Sequence, residues 1–190
     1  MQPTVCDAVA EIVQNACAAN AAEIRLDWFR RGARLEVTVR DDGRGMDADV
    51  RRRALDPFWS DGAKHPTRRV GLGLPFVKQA AEQCGGSFAL ESAPGRGTTV
   101  ACAFDLANVD APPLGDVPAT LTELMAFPGA ADLAVRRAED DRSYAVRRSE
   151  LAAALGDLEQ AGALALMKKF FSANEAEIRN EVQHGEIDVG

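Results

Sequence analysis

Between Asn108 and Pro118 the chain reads NVDAPPLGDVP, a stretch through which neither a helix nor a strand can run. Three prolines remove backbone donors and fix φ, and Gly115 adds a point of free rotation. The 190 residues are therefore built as two stretches, 1–107 and 119–190, with 108–118 as a linker. At 46% hydrophobic residues the chain can bury a sizeable core, and the first stretch alone is long enough for a domain. The second reads as a small α/β extension. A helix is expected over Ala119–Phe127, short strands over Asp132–Arg137 and Ser143–Arg147 around the turn EDDR, and helix again from Glu150. The last dozen residues, with scattered charge and two glycines, are expected to fray.

Charge follows the same division. Up to Gly115 there are 15 acidic and 14 basic residues, and afterwards 14 and 8, so the formal charge of -7 belongs mostly to the extension. A duplex nucleic-acid binder needs a basic field to replace condensed counterions, which argues against a nucleic-acid partner. No apolar run approaches the 18 residues of a membrane span, and the first residues lack the basic-then-apolar order of a secretory signal. A cytoplasmic protein with no membrane partner is the expectation. Cys6, Cys17, Cys84 and Cys102 show no CxxC spacing, and three fall in apolar periodic segments, as small buried thiols do.

Residues 4–19 have the pattern of a helix. Thr4 followed by Asp7 is a capping-box arrangement, and Val5, Val9, Ile12 and Ala16 share one arc that should cover a sheet. Glu11 and Asn15, four apart, sit at the edge of that stripe. A carboxamide oxygen there can ligate a metal and a carboxylate can accept a proton from water. An isolated ExxxN is more often simply two solvated helix residues.

The next polar cluster lies at a strand end. Leu35, Val37 and Val39 alternate, and Asp41, Asp42, Gly43, Arg44 and Gly45 follow. A carboxylate fixed by a strand suits the exocyclic amine of a purine, and the glycines let a flat ligand reach the backbone, although a plain surface turn fits the same residues. Asp47–Leu55 reads as a short helix. The stretch DPFWSDGAKHPTRR after it has the composition of a cover, with Phe58 and Trp59 at its hinge and Lys64, Arg68 and Arg69 as cations for triphosphate oxygens, or simply as a solvated basic loop. Gly71 and Gly73 then lead through Leu74 and Pro75 into a helix stopped by Gly85 and Gly86. Amides at that helix N-terminus could meet phosphate. The spacing matches neither a full dinucleotide fingerprint nor a Walker loop. PGRGT, residues 94–98, joins strands Phe88–Glu91 and Thr99–Phe104.

Taken together, EIVQN, DDGRGM, DPF, VGLGLPFVKQAAEQCGG and PGRGT, in this order over about residues 5–105, resemble the gyrase, Hsp90, histidine-kinase and MutL ATPases, with the histidine-kinase catalytic domain closest in texture. The outline of a short ATPase followed by an extension is also similar to small ATP-binding proteins found with iron hydrogenase and NADH-linked electron-transfer subunits. The resemblance implies an α+β sandwich, with a mixed, largely antiparallel sheet and helices on one face. It implies ATP and Mg2+ as cofactors. Asn15 matches the metal ligand, Asp41 the adenine-recognising aspartate, and Glu11 the water-activating glutamate of the hydrolysing branches. Gly43 and Gly45 match the first glycine box, and Phe58 the aromatic before the lid. Gly71 and Gly73, continuing into Leu74, match the phosphate-binding segment, and Gly97 and Thr98 the terminal box. Ala18 replaces a polar residue often found three after the asparagine.

A sensor kinase of this resemblance would carry a phospho-accepting histidine in a long helix, whereas the only histidines here are His65 and His184, neither in an H-E/D context. The expectation is a kinase acting on a protein phosphoacceptor in trans. An ATPase switch working through residues 119–190 and a non-hydrolysing adaptor remain alternatives, and assembly as a homodimer stays open.

Overall fold

The computed structural model describes residues 3–57, 73–127 and 131–179. Helix α1, Val5–Ala18, begins as its sequence dictates. The Asp7 amide donates to Thr4 Oγ1 at 3.1 Å and the Thr4 amide to Asp7 Oδ2 at 2.8 Å. Val5, Val9, Ile12, Val13 and Ala16 are buried along one side. Strands β1, Glu23–Arg31, and β2, Arg34–Asp41, form a hairpin, followed by α2, Ala48–Ala54, and α3, Leu74–Gln83. Strands β3, Ser87–Ser92, and β4, Thr98–Asp105, close the first stretch.

Alternation decides which way the sheet faces. Ile24, Leu26 and Trp28 on β1, Leu35, Val37 and Val39 on β2, and Val100, Cys102 and Phe104 on β4 are buried against helices. Their neighbours, including Arg25, Glu36, Arg40 and Asp105, are exposed on the opposite, open face. The strands run β3-β4-β2-β1-β5-β6, antiparallel throughout except for β1 beside β5, which is the mixed, largely antiparallel sheet expected.

The extension continues this sheet. After α4, Val117–Ala126, strand β5, Asp132–Glu139, pairs in parallel with β1, and β6, Arg142–Arg147, pairs with β5. Helix α4 covers the same face as α1 and supports α6, Ala161–Arg179, while α5, Arg148–Leu155, packs against β5 and β6. Leu121, Met125, Leu133, Val135, Met167 and Phe171 belong to the same apolar cluster as Val9, Leu26 and Trp28. The proline-rich stretch is docked too. The carbonyls of Pro113 and Leu114 accept from the Val5 and Cys6 amides at 2.9 and 3.0 Å, satisfying donors that a helix start leaves without partners. Among the described residues no helix is long and apolar enough to cross a membrane.

Candidate functional site

Two helix residues and two loops make the site. On α1, Asn15 Nδ2 donates to Glu11 Oε1 at 3.3 Å, both side chains being half-buried at the rim of the buried stripe. This pairing occupies the amide group of Asn15, so its carboxamide oxygen is the atom not engaged by Glu11. The end of the same helix meets the loop after β2, where the Arg44 amide donates to the Ala19 carbonyl at 3.0 Å.

Asp41, the last residue of β2, points to the helix-covered side and is only 7% exposed. Its Oδ1 accepts from the Gly43 amide at 2.8 Å, and the Thr98 amide is a second donor. Burial holds the Asp41 carboxyl above its ordinary range. The two amides pull it down and neighbouring Asp42 pushes it further up. Asp42, by contrast, lies in the open, and its Oδ1 caps the start of β1 by accepting from the Ala22 and Glu23 amides at 2.8 and 3.0 Å. Two adjacent carboxylates thus do different work because a strand sends them to opposite faces.

The loop is held in place by a second one. At Gly97, φ is +73°, and a Cβ would stand 1.9 Å from the Asp41 carbonyl oxygen. At Gly45, φ is +65°, and a Cβ would fall 1.9 Å from the carbonyl of Ala93. Both glycines are thus required by backbone packed on backbone, a reason independent of any ligand. Ser92, which sequence reasoning missed, ties the loops together: its hydroxyl accepts from the Met46 amide at 2.8 Å, donates to the Gly97 carbonyl at 3.0 Å, and lies 2.9 Å from Thr98 Oγ1. Its position six before Thr98, across the PGRGT turn, was the available signal.

Gly73 is the N-cap of α3, with Pro75 in the first turn, and Leu74 opens the helix with its side chain buried. The fold therefore gathers Glu11 with Asn15, and Asp41 with Gly43, Gly45, Gly97 and Thr98. Phe58, Trp59, Lys64, His65, Arg68, Arg69 and Gly71 lie outside the described residues, as do residues 180–190 of the tail expected to fray.

Residues 2–108 match the model of the histidine kinase-, DNA gyrase B- and HSP90-like ATPases. The sensor-like histidine kinase SenX3 of Mycolicibacterium smegmatis is 36% identical over 96 residues, 48% of this chain and 25% of that protein. The sensor histidine kinase AruS of Pseudomonas aeruginosa is 35% identical over 95 residues, 47% of this chain and 9% of its own length. ZraS of Klebsiella oxytoca, also a sensor histidine kinase, is 41% identical over 64 residues, 34% and 13% of the two chains. The chain thus spans a quarter or less of these relatives. Among solved structures, the histidine kinase domain of the Erythrobacter litoralis EL346 blue-light activated histidine kinase aligns with 26% identity and a TM-score of 0.31, over 44% of this chain and 32% of that one. Asn15, Asp41 and the glycine loops all fall inside the matched segment, and the chain belongs to the histidine kinase-, DNA gyrase B- and HSP90-like ATPase family, with residues 2–108 as its ATP-binding domain.

Proposed function

We propose that this protein binds ATP with Mg2+ and transfers the γ-phosphate to a separate protein. The observation that carries the reading is the Asn15–Glu11 pair, held at 3.3 Å on the helix whose end buttresses the buried Asp41 loop. Mg2+ takes hard oxygen ligands and commonly relies on one or two protein groups plus phosphates, and the carboxamide oxygen left by Glu11 fits that donor class. When bound, the ion would offset phosphate charge. Asp41 would accept a hydrogen bond from the adenine amino group, Thr98 and Ser92 would keep that carboxylate's loop in place, and Glu11 would take the proton of an incoming hydroxyl, imidazole or water. Phe58, Lys64, Arg68, Arg69, Gly71, Gly73 and Leu74 complete the proposed nucleotide site. The names of the relatives support kinase chemistry, and a cytoplasmic setting accords with a phosphoacceptor in trans.

An ATPase switch is a second reading, favoured by one contact path: α4 packs on α1, which carries Glu11 and Asn15, and also on α6 of the extension. Nucleotide-dependent movement of α1 would reach a partner docked on residues 119–190 by that route.

Incubating the purified protein with Mg2+, γ-labelled ATP and cell extract separates the readings. Label on another protein supports transfer, free phosphate alone the switch, and intact retained nucleotide a non-hydrolysing adaptor. With Mg-ATP alone the chain is expected not to accumulate label on itself. Glu11→Gln should bind ATP within a few fold of the parent yet lose turnover by about 10²–10⁴, the usual worth of acid-base assistance. Parental turnover in that variant would remove Glu11 from the chemistry.

A further inference from the structure

The β1–β2 hairpin sends Arg25, Asp27, Phe29 and Arg31, and Arg34, Glu36, Thr38 and Arg40, to the open face of the sheet. Its register sets Arg25 directly opposite Arg40 and Arg31 directly opposite Arg34. Like charges in directly opposed positions destabilise a strand pair. The carboxylates on the hairpin itself and beside it on β5 are already engaged. Glu36 pairs with Arg34 at 2.7 Å, Asp27 with Arg136 at 3.5 Å, and Glu23 and Asp132 with Arg147 at 3.6 and 3.0 Å. Asp42 is held by the backbone amides that it caps. Among the described residues, Arg25, Arg31 and Arg40 are left without an ion pair, in a chain whose formal charge is -7.

The surroundings favour contact with a broad partner. Arg25 is flanked on β5 by Ala134 and Arg40 on β4 by Thr99, so the two guanidinium groups rise from low ground. Phe29 lies between the two arginine pairs with the Arg136 guanidinium 5.3 Å from its ring centre. The arginine pairs are six residues apart along the strand, or about 20 Å at the usual rise.

From this pattern we infer that the open face of the β1–β2 hairpin is a docking surface for an acidic segment of a partner protein. The segment spans both arginine pairs and carries an apolar residue between its carboxylates to meet Phe29. A protein segment fits better than a nucleic acid, because Asp27 and Glu36 stand on the same hairpin and would lie against an unbroken row of phosphates, whereas a peptide can place an uncharged residue there. The surface is separate from the nucleotide site, since Arg40 and Asp41 are consecutive residues on opposite faces of one strand. This inference does not depend on which reaction the ATP site performs.

The test uses the full chain, an Arg25→Gln/Arg40→Gln double variant, and a fluorescent twelve-residue peptide of glutamates around one phenylalanine, with its Glu→Gln counterpart and a single-stranded DNA of equal length as controls. Binding is followed by anisotropy. The parent should prefer the acidic peptide and lose it as salt rises. The double variant should bind that peptide about fivefold more weakly, as expected from losing two exposed charge pairs. Its ATP affinity should be unchanged, and its Tm equal to or above the parent's because a like-charge opposition is gone. Unchanged peptide affinity in the variant overturns the inference, as does a lowered Tm, which would make the arginines structural. Tighter binding of the DNA would assign the surface to nucleic acid instead. Self-association abolished by the two substitutions, seen by sedimentation, would assign it to a second copy.

Discussion

Asp41 and Glu175 are the two carboxylates buried among the described residues, 7% and 2% exposed, and the two halves of the molecule use them in opposite ways. Glu175, on α6, is consumed internally. Its Oε1 lies 3.1 Å from Arg137 Nε and accepts from the Tyr144 hydroxyl at 2.9 Å, while its Oε2 accepts from Arg137 and Arg179, each at 3.2 Å. Arg137 is fully buried, lies against Trp28 with its guanidinium 5.8 Å from the ring centre, and spends further donors on Glu139 and the Ala138 carbonyl. Burial, then the Glu175 charge, pushes the Tyr144 hydroxyl well above its ordinary range. Asp41 receives two backbone amides and, among the described residues, no cation. An ionised carboxylate can accept about four hydrogen bonds, so capacity remains for a ligand. The extension has spent its buried charge on holding itself in place, whereas the ATP-binding half keeps buried charge in reserve at a cost to its own stability.

The sharpest way to break this comparison is to remove Glu175. Glu175→Ala leaves the buried Arg137 with Glu139 as its one remaining ion-pair partner among the described residues and should cost about 3 kcal/mol in urea unfolding, with ATP affinity changed little. A loss below about 1 kcal/mol would show that the network is not what holds α6 down.

Asp41→Asn should do the reverse. ATP affinity should fall more than tenfold, about 1.5–3 kcal/mol, when read by calorimetry. Without nucleotide the variant should be at least as stable as the parent at neutral pH, because the desolvated charge is gone. Unchanged ATP affinity would end the adenine assignment. Ser92→Ala removes the hydroxyl that joins Met46, Gly97 and Thr98, and should cost about 1 kcal/mol of stability. It should also weaken ATP binding if the loop positions Asp41, whereas a stability loss with parental affinity would separate the two.

The smallest expected effect is in pH. The Asp41 carboxyl is raised in the folded state, so its favourable contribution is fully present below the ordinary value of 3.8 and is lost as pH climbs through the raised one. The stability of Asp41→Asn relative to the parent should therefore grow over that interval and level off above it. A difference independent of pH would mean that burial does not strain this charge.

The elements of the ATP-binding half were legible because each has a local signature. Thr4 with Asp7 marks a helix start, Leu35, Val37 and Val39 a strand, and Pro75 with Gly85 the polarity of α3. Strand β1 is harder to read although Ile24, Leu26 and Trp28 alternate, because charges crowd both of its ends in EIRLDWFRR. In the extension the strand pair was readable and its place was not. The parallel register of β5 on β1 is fixed by tertiary packing across a long crossover, and no short-range signal encodes it. Arg137 inside LAVRRAED reads as a surface residue, since the partner that permits its burial is Glu175, 38 positions along the chain. At the candidate site the reverse holds: the glycine boxes are visible in the sequence, and the Ser92 hydroxyl that clasps their loops is marked only by its place six before Thr98 across the PGRGT turn.

The parallel pairing of β5 with β1 bears on where this molecule can be cut. The family match stops at residue 108, which invites a fragment ending there. Such a fragment would bare the whole side of β1 from Glu23 to Arg30 now hydrogen-bonded to β5, an unguarded strand edge of the kind that recruits other chains into aggregates. It would also remove the Pro113 and Leu114 carbonyls that receive the first amides of α1, the helix that carries Asn15. The stretch recognised by kinship and the stretch expected to stand alone are therefore different lengths of the same chain, and a minimal unit that keeps this edge covered and the buried Arg137 paired has to include β5 and α6.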